Sequence, residues 1–351
     1  MVFGMLCWGL WAGLYKLTGK WRYELFYFDV AFGVTLAAII YSMTAGSLGF
    51  DGFALTDDLM HSTKRQWLLA IAAGVIFNLG NIIMMGAAAV AGLSVALPLG
   101  LGVTLMLGVG FDLVVHNTGA NPLLLFVGAA CLLGAVVTVG FAYVSLISAR
   151  QDRLLKAGKI NTTPSAPGYS KAMIISANAP SATKGLLLAI VSGALIWLML
   201  PLIQKARAGE TGLGPYATMA LFALGLQVST IVFNNFFVNL PVQGEPIELL
   251  DYFRGSLRAH LIGLAAGILL YTGLLSILVA QSGPPESLLP ATTFYALEQG
   301  AVLVGALWGI FVWKDFRGGE KRVWTVLWAF ILLFGIGLVS IGLAGKFVRG
   351  A

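Results

Sequence analysis

The chain has 351 residues, 58% of them hydrophobic and only 10% charged, with a net charge of +6. Soluble domains carry about 25% charged residues, so a chain with a mean hydropathy of +0.89 cannot cover itself in water and must be solvated largely by lipid. The positive charge does not indicate nucleic acid, because the basic residues fall in short segments between apolar runs, where the positive-inside rule accounts for them. Cys7 and Cys131 lie within apolar runs and read as small core residues, not as a disulfide framework.

Ten apolar runs are found, at about 1–15, 25–46, 67–89, 93–115, 122–148, 184–206, 216–238, 256–281, 288–313 and 323–345. Most reach the roughly 20 residues that a spanning helix needs. The first is short and starts at Met1 without a basic leader, so it is not a signal peptide, and the true start is expected a turn or two upstream. Its Trp8, Trp11 and Tyr15 fall at i, i+3 and i+7 on one helix face. They form either an aromatic wall for a ring or sugar or an interfacial belt.

Asp29 and Asp112 lie near run ends, where water can solvate them. Asn78 and Asn81 share a face near the middle of the third run. They suit a polar, uncharged solute, or they serve as interhelical glue. Gln227 and Asn234 share a face of the seventh run, while Gln204 and Asn235 stand nearer the ends of theirs.

The longest connection, 149–183, is polar and divides the chain into two sets of five runs, 1–148 and 184–351. It reads as a mobile linker. Its sequon, Asn161-Thr162-Thr163, is expected to be unused if the linker is cytoplasmic.

The halves repeat each other. Ile71 to Gly80 in the third run resembles Leu264 to Gly273 in the eighth, and the next run of each half opens with a proline, Pro98 and Pro290. In this register Tyr271 stands where Asn78 stands. Five runs per half invert the second copy, a signature of alternating-access transporters. The expected fold is therefore an all-α integral membrane protein of ten transmembrane helices in two inverted five-helix repeats. Fifteen of the 21 lysines and arginines fall in the odd-numbered loops. Those loops, with the 149–183 linker, are then cytoplasmic and both termini face outward from a plasma or inner membrane.

The ninth run carries Thr292, Tyr295, Glu298 and Gln299 on one surface. Glu298 stands roughly 15 Å into a roughly 30 Å hydrocarbon core, where a carboxyl is costly and faces a bundle interior or a wet cavity. A carboxyl that is neutral when dry and ionised when wetted from one side can carry a proton. No P-loop, G-x-S-x-G or H-E-x-x-H motif occurs, and His61, His116 and His260 are too scattered for a metal cluster. No cofactor is expected.

Several stretches resemble a known family: Gly80-Asn81 followed by Gly92-Leu93-Ser94-Val95; Leu240-Pro241 with Tyr252 ahead of Gly263-Leu264-Ala265-Ala266-Gly267; and Gln299 with Trp308-Gly309 before Asp315-Phe316-Arg317. With them the chain resembles the drug/metabolite transporter superfamily, and within it the ureide permease family, related to bacterial glucose/ribose and rhamnose porters. The resemblance implies proton-coupled uptake of small neutral nitrogenous solutes such as allantoin or uracil, with a cytosolic central loop. The chain lacks the P-loop-like motif that plant members can carry in that loop. It also has Leu274 where the family tends to keep an Asn, which leaves a sugar as the natural competitor.

The expectation is a proton symporter of a small polar metabolite, not an enzyme. Glu298 would couple the proton. Asn78, Asn81, Tyr271, Tyr295 and Gln299 would contact substrate, and Trp8 and Trp11 would stack on it. The alternatives are a sugar porter, an exporter of amphipathic compounds and, from another class, an intramembrane enzyme or lipid scaffold.

Overall fold

The computed structural model describes residues 1–19, 21–49, 54–115, 121–156, 182–282 and 291–346, and these contain helices and no strand. In chain order they are α1 (Val2–Leu10), which tightens into a 3-10 stretch (Trp11–Thr18), α2 (Tyr23–Met43), a short α3 (Leu55–His61), α4 (Lys64–Ala91), α5 (Leu93–Val115) and α6 (Pro122–Lys156). There follow α7 (Ala182–Arg207), α8 (Pro215–Asn239), a 3-10 turn (Leu249–Arg254), α9 (Leu257–Ala280), α10 (Ala291–Leu307) with a π-turn (Trp308–Val312), and α11 (Lys321–Ala344). The helix α6 persists to Lys156, past the expected start of the linker at Ala149. Residues 157–181 of that linker, including its sequon, lie outside the described residues, and α7 begins within its last two residues.

Local chemistry sets several of these ends. Thr63 and Gln66 form a capping box at the start of α4, Pro215 opens α8, and Ser256 Oγ accepts from Ala259 N–H at the start of α9. These devices satisfy backbone groups that a helix leaves orphaned. Gly92 separates α4 from α5 with φ +87°, a left-handed conformation that glycine adopts at least cost.

Eight of the helices are long and apolar enough to cross a membrane; the apolar part of α5, Leu93–Gly108, is shorter. Large apolar side chains such as Phe32, Phe126, Phe141, Val232 and Leu332 are exposed. So much exposed apolar surface marks a lipid-facing exterior.

Inside, α4 packs along α7, and α1 along α9; α2 packs along α9, and α4 along α8; α5 meets α7, and α1 meets α10; α6 packs on α11. The tightest crossings are made by small residues. A methyl at Gly74 would stand 2.0 Å from Phe222 O, and one at Gly225 would stand 2.1 Å from Ile71 O. A methyl at Gly33 would stand 2.1 Å from Leu264 O, and one at Gly267 would stand 2.0 Å from Val30 O. Such close backbone approach is how helices associate where no hydrophobic drive operates between them.

Candidate transport site

Glu298 and Gln299 sit in the middle turns of α10, where α1, α5, α7 and α9 converge. Two cavities meet at Glu298. The first, about 650 Å³ with its open mouth included, is lined by Glu298 with Leu274, Met199, Leu200 and Phe222, and continues to Gln204, Arg207 and Gln281. The second, about 490 Å³ on the same basis, is lined by Glu298, Gln299, Trp8, Thr104, Gly108 and apolar residues of α5 and α7. Met199, Leu200, Leu274 and Glu298 line both, so the carboxyl stands at their junction. Burial of an acid in a mostly apolar wall is costly unless a polar ligand or water meets it. Gln299 Oε1 is buried and finds no hydrogen-bond partner among the described residues, leaving an acceptor beside the carboxyl.

The aromatic wall extends from one side. Trp8 stacks on Trp11 with ring centroids 6.4 Å apart and meets Phe77 at 5.9 Å, and Phe77 meets Phe222 at 5.2 Å. Trp11 itself is 1% exposed, and the chain tightens to 3-10 geometry at that residue, so the expected regular spacing is lost.

The asparagines face neighbouring helices. Asn78 Nδ2 donates to Leu226 O at 3.1 Å, Ser229 Oγ at 2.8 Å and Thr230 Oγ1 at 3.0 Å, all on α8. Asn81 Nδ2 donates to Tyr27 OH on α2 at 3.0 Å. Tyr271 is buried, stacks on Tyr41 at 6.0 Å and has no partner for its hydroxyl among the described residues. The structure therefore gathers Glu298, Gln299 and Trp8 at the cavities and places Asn78, Asn81, Tyr271 and Trp11 in the surrounding packing. The side chains of Tyr295 and Asp112 lie outside the described residues.

Gln227 accepts from Thr35 at 2.9 Å, and Asn234 Nδ2 donates to Glu24 O at 3.1 Å; both join helices. Sequence reasoning missed Arg207 and Gln281 as cavity residues, because each reads as an ordinary helix-end polar group. It also misplaced Asp29. That carboxylate is not solvated at a helix end but is 4% exposed and bonded to Tyr252 and His260.

Away from the cavities, Asp315 gathers a polar layer at one end of the bundle. Asp315 pairs with Lys16 and accepts from Ser94 N at 3.1 Å and Ser94 Oγ at 2.9 Å. Arg150 Nη2 donates to the Asp315 carbonyl at 3.0 Å. A single carboxylate thereby ties the end of the first helical segment to the start of α5 and to the α10–α11 connection.

A lipid-facing helical bundle with a carboxyl-bearing cavity in mid-helix is the arrangement of a multi-pass membrane protein. The sequence profile of the ureide permease family matches residues 26–185. Ureide permease 1 of Arabidopsis thaliana is 23% identical over 369 residues, spanning 95% of this chain and 93% of that protein. Ureide permease 4 of the same plant is 23% identical over 380 residues, with the same coverage. Ureide permease 5 is 24% identical over 392 residues, spanning 98% of this chain and 92% of that protein. No solved structure matches the chain. The resemblance to the ureide permease family thus extends along nearly the whole chain, and the relatives are named as permeases, not enzymes.

Proposed function

We propose that the chain is a proton-coupled symporter of a small, polar, neutral solute of the ureide or nucleobase type. The observation that carries this is Glu298, set at the junction of two cavities in mid-helix with the unpartnered Gln299 carbonyl beside it. A cyclic amide offers N–H donors to both oxygens and a flat face to Trp8. The names of the relatives support the substrate class.

Ten crossing segments in two inverted five-helix repeats supply the machinery. The main helix pairings support this, because exchanging α1 with α7, α2 with α8, α4 with α9, α5 with α10 and α6 with α11 maps the seven pairings described above onto one another. The glycine crossings obey the same exchange: Gly33 against Gly267 becomes Gly225 against Gly74. In such folds the site lies at mid-membrane between repeats that rock against each other.

The charge bias supports a cytoplasmic Asp315 end and 149–183 linker, with the Gln281 end outside. In this state the cavity leads outward and the Lys16–Asp315–Ser94 layer is the closed inner door. Glu298 takes up a proton with the solute from outside and releases it when the inner door opens. Asn78, Asn81, Tyr271 and Trp11 serve the packing around the site, and Tyr295 remains a proposed contact on the face it shares with Glu298.

The test is uptake of radiolabelled uracil, allantoin and glucose into proteoliposomes with and without an inward proton gradient, for wild type and Glu298→Gln. Accumulation of one nitrogenous solute only with the gradient is expected. The variant should exchange that solute without accumulating it. A variant that accumulates as wild type does would remove Glu298 from coupling, and accumulation of glucose alone would replace the substrate class.

A further inference from the structure

A second cluster of titratable groups lies away from these cavities. Asp29, in the second turn of α2, accepts from the Tyr252 hydroxyl at 2.6 Å. Both its carboxylate oxygens lie 3.0 Å from His260 Nδ1. The three residues come from α2, from the 3-10 turn Leu249–Arg254 and from the first turn of α9. Gly263 makes room for them, since a methyl there would stand 2.4 Å from Asp29 Cβ. Trp21 closes edge-on over the imidazole at 5.3 Å. Burial and the bond to Asp29 both push the Tyr252 phenol upward, so it stays a donor. Taking a carboxylate out of water costs several kcal/mol even when it is paired, so the cluster needs a reason.

The molecule supplies its own comparison, which rests on the two-repeat reading above. The register that matches Gly33 to Gly225 and Gly74 to Gly267 also matches Asp29 to Leu221, His260 to Trp67, Gly263 to Ala70 and Tyr252 to Leu59. Those four counterparts sit together in a separate apolar cluster, with α3 packed on α8 as the 3-10 turn packs on α2. One fold position is thus filled once by Leu, Trp and Leu and once by Asp, His and Tyr. Apolar packing suffices for the architecture, so the polar trio is not there to make the fold.

We propose that Asp29, His260 and Tyr252 form a second proton-binding site, separate from Glu298, at the end of the bundle that holds Asp315. Histidine ordinarily changes charge in the physiological range. With the proton bound, an imidazolium–carboxylate pair clasps α9 and the 3-10 turn to α2. Without it a neutral imidazole and the Tyr252 hydroxyl still bond the carboxylate, but the ion pair is gone and the clasp loosens. Of the other charged groups nearby, Arg258, two residues before His260 on α9, is exposed to solvent, and two ion pairs lie beside the trio. On α2, Glu24 meets Arg22 at 2.8 Å, and on the 3-10 turn Asp251 meets Arg254 at 2.7 Å. Helix α8 offers Asn234, which is uncharged and bonded to Glu24 O.

The experiment is a double-mutant cycle read by melting temperature on the purified full-length protein, at about pH 5.5 and about pH 8. It uses wild type, Asp29→Asn, His260→Asn and the double variant. The non-additivity should be at least about twofold larger at the acid pH, because only a charged imidazole pairs with the carboxylate. Equal non-additivity at both pH values would overturn the proposal.

A second arm replaces the trio by its counterparts, Asp29→Leu with His260→Trp and Tyr252→Leu. That protein should fold and melt with less pH dependence than wild type; undiminished dependence overturns the proposal too. Glu298→Gln should leave the cycle's result unchanged. A change would merge the two sites and sink their separateness, whatever the uptake assays say of Glu298.

Discussion

Asn78 shows how polar groups inside the bundle divide between structure and transport. Its amide spends both protons on α8, at three acceptors, and its side chain is fully buried. Interhelical hydrogen bonds in membranes are worth about 0.6–2 kcal/mol, so Asn78→Ala should cost about 1–2 kcal/mol and lower the melting temperature in detergent. The surviving protein should still bind solute, because no cavity wall is lost. An unchanged melting temperature with abolished binding would make Asn78 a substrate contact after all. The sequence shows both kinds of polar residue alike, as breaks in an apolar run. Glu298 is legible because a carboxyl in mid-span is costly whatever surrounds it. Asp29 is not, because its partners Tyr252 and His260 lie 223 and 231 residues away and only the fold brings them together.

At the scale of elements, glycine spacing decides how closely the helices pack. Gly74→Ala would force a methyl to 2.0 Å from Phe222 O, and overpacking of this kind costs about 1–3 kcal/mol. Gly267→Ala, its counterpart on α9, should behave the same way, with loss of folded protein by size-exclusion chromatography. Gly140→Ala on α6 meets nothing within 4 Å and should be silent. If all three are tolerated equally, the α4–α8 and α2–α9 crossings are looser than described. The positions of the helices follow from apolar run length, which is why the runs coincide with helices along the chain. The exception is local. The first segment turns from α to 3-10 at Trp11, driven by packing of a ring 1% exposed, and no periodicity in the sequence announces a change of helical type.

For the whole molecule, the proposed mechanism makes the Asp315 layer and the cavity that reaches Gln281 two features of one state of a two-state machine. Lys16 and Asp315 are 299 residues apart in sequence and belong to opposite proposed repeats, so the proposed rocking is expected to separate them. A double variant, Lys16→Cys with Asp315→Cys, in a background with Cys7 and Cys131 replaced by serine, can be bridged by a short bis-maleimide. Bridging should stop net uptake while leaving a third cysteine, Gln204→Cys, reactive to a membrane-impermeant maleimide from outside. Without the bridge, labelling at Gln204→Cys should fall when the inner side opens during turnover, because alternating access forbids both paths at once. A bridged protein that still transports would show that the door is elsewhere. Labelling of Gln204→Cys only from the cytoplasmic face would invert the proposed orientation while leaving the two-door mechanism intact. The two measurements therefore separate the direction of the molecule from the way it moves.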